Sequence, residues 1–113
     1  MLPKDVENLV SRVLTTAAAV STPALRREVF DSVAALTRGQ LALALPADLA
    51  PYGRKVALNA YKVIDSDIES LHAAGFDVDE VFEVTIVAAV SAGATRLQIA
   101  LAALEEAADA PAD

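Results

Sequence analysis

The sequence contains no cysteine and no tryptophan, and it has a single histidine. Without cysteine the chain can form no disulfide, no thiolate metal site, no thiolate nucleophile and no dithiol redox centre. Basic residues are also in the minority, with 9 Lys and Arg against 16 Asp and Glu, for a net charge of -7. Because binding to phosphate requires a positive surface, this balance argues against nucleic acid as a partner.

Long hydrophobic runs are missing as well. The two longest uncharged stretches, residues 13–25 and 84–95, each have about a dozen residues, whereas a helix needs about 20 to cross a bilayer. The opening residues mix charges of both signs, as at Lys4, Asp5 and Glu7, instead of following the pattern of a signal peptide. We therefore expect a cytoplasmic protein without a membrane span.

Apolar residues are abundant. The chain has 113 residues, which is long enough for one domain with a real core and too short for two. Its hydrophobic content is 55%, more than the roughly 45–50% of an average domain even with glycine counted. We predict a single domain over residues 1–113, with a frayed tail at 109–113, that forms a homo-oligomer.

Helical patterns dominate the sequence. Alanine is common, and apolar residues recur at three- and four-residue spacings, which predicts an all-α bundle of five to six helices. A first helix is predicted over about residues 3–19. Thr22 followed by Pro23 indicates the start of a second helix, which Gly39 ends.

Shorter helices are predicted in the middle of the chain. An irregular connection follows Gly39, and a third helix covers about residues 51–63. A fourth helix begins at Ser66, which has capping-box spacing to Glu69, and it stops at Gly75.

The last predicted helix has the strongest apolar pattern. Asp77 and Glu80 have capping-box spacing and mark its start. Apolar residues cover its whole circumference over residues 81–90, which predicts burial on all sides. Small side chains follow over residues 88–94, and they allow another helix to approach closely.

The C-terminal half resembles a known superfamily. The residues that match it in register are Leu71, Gly75, Asp77, Val81, Phe82, Glu83, Ala88, Ala89 and Gly93. They resemble the stretch that follows the redox centre in the alkylhydroperoxidase D-like and carboxymuconolactone decarboxylase-like superfamily, and the resemblance covers about residues 46–106. It implies an all-helical, alkylhydroperoxidase D-like fold.

Redox-active members of that superfamily have a Glu-x11-Cys-x2-Cys-x3-His motif before this stretch. The resemblance places its cysteine positions at Ala60 and Val63, its histidine position at Asp67 and its glutamate position at Asp48. Because attack on peroxide and resolution of the sulfenic acid both require sulfur, dithiol peroxidase activity is excluded. Decarboxylase-type members act without the cysteine pair, so the resemblance still allows acid–base chemistry.

Candidate catalytic residues lie around the former redox centre. Lys62 could act as a general acid or as a clamp for an anion, with Asp67 or Asp48 as the base. Alternatively, Lys62 and the neighbouring aspartates form a solvated turn, whose exposed ion pairs contribute about 0–1 kcal/mol each.

Charged residues also interrupt the last helix. Glu83 and Arg96 would each pair with a neighbouring helix or subunit, or line a pocket, because long charged side chains are seldom buried unpaired. Glu83 and Arg96 are therefore candidate ligand-binding residues, and so is Tyr61, which lies next to Lys62 at the former redox centre. Glu69 and His72 have the spacing of a helical di-iron motif, but such a site needs two motifs and further glutamates. We predict no metal and no cofactor.

Two functions are compatible with these observations. The first is a non-catalytic oligomer that keeps the helical scaffold for assembly or for binding a small metabolite. The second is an acid–base enzyme, either a decarboxylase or a lactone-processing enzyme, that uses Lys62 with Asp67 or Asp48. Three of the four motif positions lack the reactive group, which favours the first function.

Overall fold

The computed structural model describes residues 2–16, 19–40 and 45–110, and every regular element in these ranges is helical. The α-helices are α1 (Lys4–Thr15), α2 (Pro23–Thr37), α3 (Ala50–Leu58), α4 (Asp65–Ala73) and α5 (Val78–Asp109). A turn of 3-10 helix, Ala60–Lys62, follows α3. The predicted all-α fold is confirmed. Part of the predicted irregular connection, residues 41–44, and the end of the predicted frayed tail, 111–113, lie outside the described residues.

The predicted signals at both ends of α2 are confirmed. The Thr22 hydroxyl accepts a hydrogen bond from the Leu25 N–H at 3.1 Å, and Pro23 occupies the first turn, where its missing N–H costs nothing. After the helix, Gly39 has a φ of 79°. Glycine reaches this left-handed conformation without a steric penalty, which explains the stop at this position.

Two helices are shorter than predicted. α1 ends at Thr15, and the guanidinium of Arg26 binds the carbonyl groups of Leu14 and Thr16 there. Residues 17–18 of the helix predicted to reach about residue 19 lie outside the described residues. α3 ends at Leu58, not near residue 63. Asn59 adopts an extended φ of -148°, after which the chain turns toward α4.

The start of α4 differs from the prediction by one residue. The helix begins at Asp65, and the predicted Ser66 cap is wrong. The carboxylate of Asp67 instead accepts a hydrogen bond from the backbone N–H of Ile64 at 2.9 Å. By contrast, the predicted capping box of α5 is confirmed, since Asp77 accepts from the Asp79 N–H at 2.8 Å.

The core lies between α5 and the other helices, mainly α2 and α3. Its buried residues are Leu14, Val29, Val33, Leu36, Leu49, Tyr52, Val56, Ala57, Leu71, Val81, Val84, Val87, Ala88 and Ala92. Small residues allow close contact, as predicted: Ser91 is fully buried and its hydroxyl donates to the Phe30 carbonyl at 2.6 Å.

The prediction that α5 is buried on all sides is wrong. Val78 is 63% exposed, Phe82 64% and Leu104 66%, and no described side chain after Thr95 is fully buried. The cause is geometric, because a helix of 32 residues is about 48 Å long and the shorter helices cover one side of it. One side of α5 and its C-terminal end therefore face solvent.

Candidate functional site

Two of the predicted catalytic residues lie at one cavity. Asp48, in the turn before α3, and Asp67, in the first turn of α4, both line a cavity of about 340 Å³. Tyr52 lies in its wall, and the Tyr52 hydroxyl is 2.6 Å from the hydroxyl of Thr85 on α5. The fold therefore brings together two carboxylates that are 19 positions apart in the sequence.

Lys55 is the lysine that binds Asp67. Its Nζ lies 2.8 Å and 3.0 Å from the two carboxylate oxygens. The hydrogen bond from Lys55, together with that from the Ile64 N–H, lowers the pKa of Asp67. A carboxylate with a lowered pKa is a weak base at neutral pH, so Asp67 is better suited to hold a positive group than to remove a proton.

Lys62 lies elsewhere. It belongs to the 3-10 turn, with its Nζ 5.8 Å from the centre of the Tyr61 ring, and the Tyr61 side chain is 82% exposed. In the part of the chain that the structure describes, Lys62 makes no ion pair with Asp67 or Asp48. The structure thus places the two aspartates together, but not the predicted lysine, and it leaves Tyr61 in solvent.

Glu83 connects α5 to the segment before α2. Its carboxylate accepts hydrogen bonds from the Val20 N–H at 2.9 Å, the Ser21 N–H at 2.7 Å and the Ser21 hydroxyl at 2.6 Å. Burial by itself raises the pKa of Glu83, but the hydrogen bonds from Ser21 and Val20 outweigh it, and the charge of Arg26 adds to them, so that the pKa is lowered.

Arg26 is buried next to this carboxylate, with 1% of its surface exposed. Its guanidinium donates to the carbonyl groups of Thr16 at 2.8 Å, Ser21 at 3.0 Å and Leu14 at 3.3 Å. These carbonyls lie at the C-terminal end of α1 and in the segment after it, where a cation is favourable. Arg26 thus joins the end of α1 to Ser21 from one side, and Glu83 binds Ser21 from the other.

Arg96 binds a neighbouring helix, which is one of the two roles predicted for it. Its guanidinium donates to the carbonyl group of Ala57, near the C-terminal end of α3. This carbonyl has no partner in the next turn because α3 ends at Leu58, and the helix dipole favours a cation at this end. The contact joins α5 to α3.

Two of these residues, Arg26 and Lys55, were not predicted from the sequence. Arg26 occupies the same face of α2 as Val29 and Val33, and both valines are fully buried. That spacing was available in the sequence as a signal for a buried arginine. Lys55 gave no such signal, because its contact with Asp67 depends on how α3 and α4 are oriented.

His72 and Glu69 are both exposed on α4. The Nδ1 atom of His72 is 3.3 Å from the carbonyl oxygen of Phe76. Within residues 2–16, 19–40 and 45–110, no group of three or more His, Asp or Glu side chains is arranged to hold a metal ion.

The outward side of α5 has an apolar stripe. We define it by Val78, Phe82, Ile86, Ala89, Val90, Gly93, Leu97, Ala100, Leu101 and Leu104, all of which are exposed or half-buried. Between Phe82 and Leu104 the charged residues of α5 are Glu83 and Arg96, and both bind other parts of the chain. The exposed apolar area is on the order of 500 Å², taking about 150–250 Å² for a fully exposed large side chain.

Two hollows border the stripe near the start of α5. The first, which we call the α4 hollow, has a volume of about 480 Å³ and lies between α4 and Val78. The second, the α1 hollow, has a volume of about 370 Å³ and lies between α1 and Ile86, with Leu9 and Val13 in its wall. The apolar stripe therefore passes between two concave surfaces.

By length and composition α5 is also a candidate membrane span, and a third of its apolar 18-residue stretch is buried within the protein.

Searches of protein-family models, curated proteins and solved structures find no match to this chain. The resemblance to the alkylhydroperoxidase D-like superfamily therefore remains a prediction from the matching residues.

Proposed function

We propose that this protein is a non-catalytic helical scaffold that functions by associating with other copies of itself. The observation that supports this proposal is the apolar stripe on α5. By contrast, Glu83, Arg96 and Asp67 are bonded to other parts of their own chain. Side chains engaged in this way stabilise the fold and are poorly available for substrate binding or proton transfer.

The composition of the stripe supports a protein partner. The largest apolar patch of a typical monomer covers about 300–600 Å² and is often functional. The stripe has this size and extends along most of a long helix. The turns of α5 after Gln98 receive little packing from the rest of the chain. Because an isolated helix of about a dozen residues is marginal in water, a partner would stabilise this end.

The first test is the molar mass in solution. At micromolar concentration we expect a mass of at least twice the 11.7 kDa of one chain. Phe82→Asp introduces a charge at the most exposed aromatic position of the stripe and should weaken association by at least about 100-fold, because burying an unpaired carboxylate costs several kcal/mol. Sedimentation equilibrium over a range of concentrations measures both quantities.

Ile64→Asp is the matched control. Ile64 is a large, exposed apolar residue outside α5, at the cap position of α4, where aspartate is well tolerated. Its substitution should leave the mass unchanged. A wild-type protein that stays at 11.7 kDa would refute the proposed self-association. A monomer that sediments with lipid vesicles, and no longer does so as Phe82→Asp, would refute it as well and indicate a membrane surface as the partner of the stripe.

A second candidate function is supported by the cavity that Asp48 and Asp67 share. The candidate is an acid–base decarboxylase or a lactone-processing enzyme, or a binding site for a small metabolite. Membership of the alkylhydroperoxidase D-like superfamily would fit it. Lys55 occupies the position next to Asp67 that the sequence suggested for Lys62.

A panel of lactones and small carboxylic acids, monitored for turnover and by native mass spectrometry for binding, tests this candidate. Asp48→Asn and Lys55→Met should each lower turnover or binding by about 10-fold or more, whereas Lys62→Met should have no effect. Turnover that is unchanged in the first two variants would remove this cavity from the mechanism.

A further inference from the structure

The surface of α5 also indicates how two copies would pair. We propose that the protein forms a two-fold symmetric dimer in which the two α5 helices are antiparallel along their apolar stripes. This inference depends on the proposed self-association and specifies its partner, a second copy of this chain, and its geometry.

The two ends of the stripe are complementary in shape. Its N-terminal end lies between two hollows, at Val78 and at Ile86. Its C-terminal end projects from the body as a bare helix with the exposed Leu104 and the half-exposed Leu101. In a two-fold interface both copies use the same surface, and one end of that surface can contact the other end on the partner. An antiparallel pair places the leucines of each copy against the hollows of the other.

The register follows from the sequence. If Ala89 faces the partner's Gly93 at the crossing point, where both side chains are smallest, then Leu104 faces the partner's Val78 at the α4 hollow. In the same register Leu97 lies one residue from the position opposite the partner's Ile86, beside the α1 hollow. Large residues thus meet concave surfaces, and the small residues allow the helices to approach closely.

The length of the paired segment also suits a stable dimer. From Val78 to Leu104 the stripe extends for about 39 Å, and the partner's helices beside the two hollows widen the contact. The stripe alone, at about 500 Å², supplies more than half of the roughly 800 Å² per partner of a standard interface. The stripe residues themselves are uncharged. Apart from Glu83, the acidic residues of α5 lie at the two ends of the helix.

A parallel pair fits the same surface poorly. It would set each hollow opposite the same hollow and Leu104 opposite the partner's Leu104, which leaves both hollows unfilled. It would also place the acidic C-terminal ends side by side, since Glu105, Glu106 and Asp109 occur there without a basic residue in the last turn. In the antiparallel pair these acids lie near the partner's helix N-terminus, whose dipole favours negative charge, but Asp77, Asp79 and Glu80 are already there. The choice between the two arrangements therefore depends on the shape of the surface, not on its charge.

Single cysteines test this geometry cleanly because the full chain has none of its own. Val78→Cys and Leu104→Cys are made separately, one of them with a size tag, and are mixed, allowed to exchange subunits and oxidised. We expect at least about 10-fold more of the mixed disulfide than of either same-residue disulfide, because only cysteines within about 7 Å between Cα atoms can be joined. Ile64→Cys, outside the stripe, is the control and should give no disulfide with any of them.

The alternative results separate this inference from the proposed function. A dominant disulfide between two Leu104→Cys chains would indicate parallel helices and overturn the inference. A dimeric mass without any disulfide would indicate a different face, which overturns the inference but leaves self-association in place. A monomeric mass would overturn both.

Discussion

Replacing Arg26 with methionine should lower the free energy of unfolding by about 3–5 kcal/mol. Methionine fills much of the same space but donates no hydrogen bond. The carbonyl groups of Leu14, Thr16 and Ser21 would then lose their shared donor in a buried site. A loss of this size is a large part of the roughly 5–15 kcal/mol that stabilises a typical domain.

Urea denaturation followed by circular dichroism measures this effect, since the chain has no tryptophan for fluorescence. Protein concentration must be held fixed, because the proposed self-association would add to the apparent stability. Arg27→Met is the matched control. Arg27 is the next residue of α2, it is exposed, and its contact with Asp31 is 3.9 Å long, so its loss should cost about 0.5 kcal/mol or less. Equal losses in the two variants would show that the buried guanidinium has no special role.

The parts of the fold that the sequence predicted correctly are determined by nearby residues. Thr22 and Pro23 start α2 and Asp77 starts α5, because a cap requires contacts over only two or three positions. The stops at Gly39 and Gly75 depend on positive φ values of 79° and 102°, which glycine adopts easily. Each of these signals is complete within one turn of the chain.

The candidate site was harder to predict because its contacts join distant segments. Asp67 meets Lys55 only because α3 and α4 pack with these faces together, and no local pattern determines that packing. Lys62 is closer to Asp67 in sequence, yet the turn after α3 directs it toward Tyr61. Proximity along the chain was therefore a poor guide to the partner of a charged side chain.

The error on α5 has a different physical origin. Apolar residues around the whole helix showed that most of its surface avoids water, but they could not show what covers it. Within one chain α2 and α3 cover one side, and Phe82 and Leu104 remain exposed. A hydrophobic pattern specifies the need for burial, and a second copy of the chain can meet that need as well as the chain's own helices.

The acid sensitivity of the protein should depend strongly on Glu83. Glu83→Gln keeps the shape of the side chain but removes the charge that accepts three hydrogen bonds from Val20 and Ser21. A hydrogen bond to a charged group contributes about 1.5–3 kcal/mol net, and the amide oxygen of glutamine can still accept more weakly at this site. We expect the substitution to lower the free energy of unfolding at neutral pH by about 2–3 kcal/mol, as measured by urea denaturation.

The direction of the pH effect follows from the lowered pKa of Glu83 in the folded state. A carboxyl group with a lower pKa in the folded than in the unfolded chain adds stability above its unfolded pKa, and this contribution is lost as the pH falls through the folded value. The difference in stability between the wild type and Glu83→Gln should therefore be full near pH 7 and shrink below about pH 4.5. Glu28→Gln, on the exposed side of α2, should leave the pH profile unchanged.

The two largest effects should also be coupled. Arg26 and Glu83 both bind Ser21, one through its carbonyl group and the other through its N–H and hydroxyl. Once either side chain is replaced, the segment between α1 and α2 loses the position that the other one requires. The double variant should therefore lose at least about 1 kcal/mol less than the two single losses added together. Additive losses would mean that the two side chains stabilise the fold independently of each other.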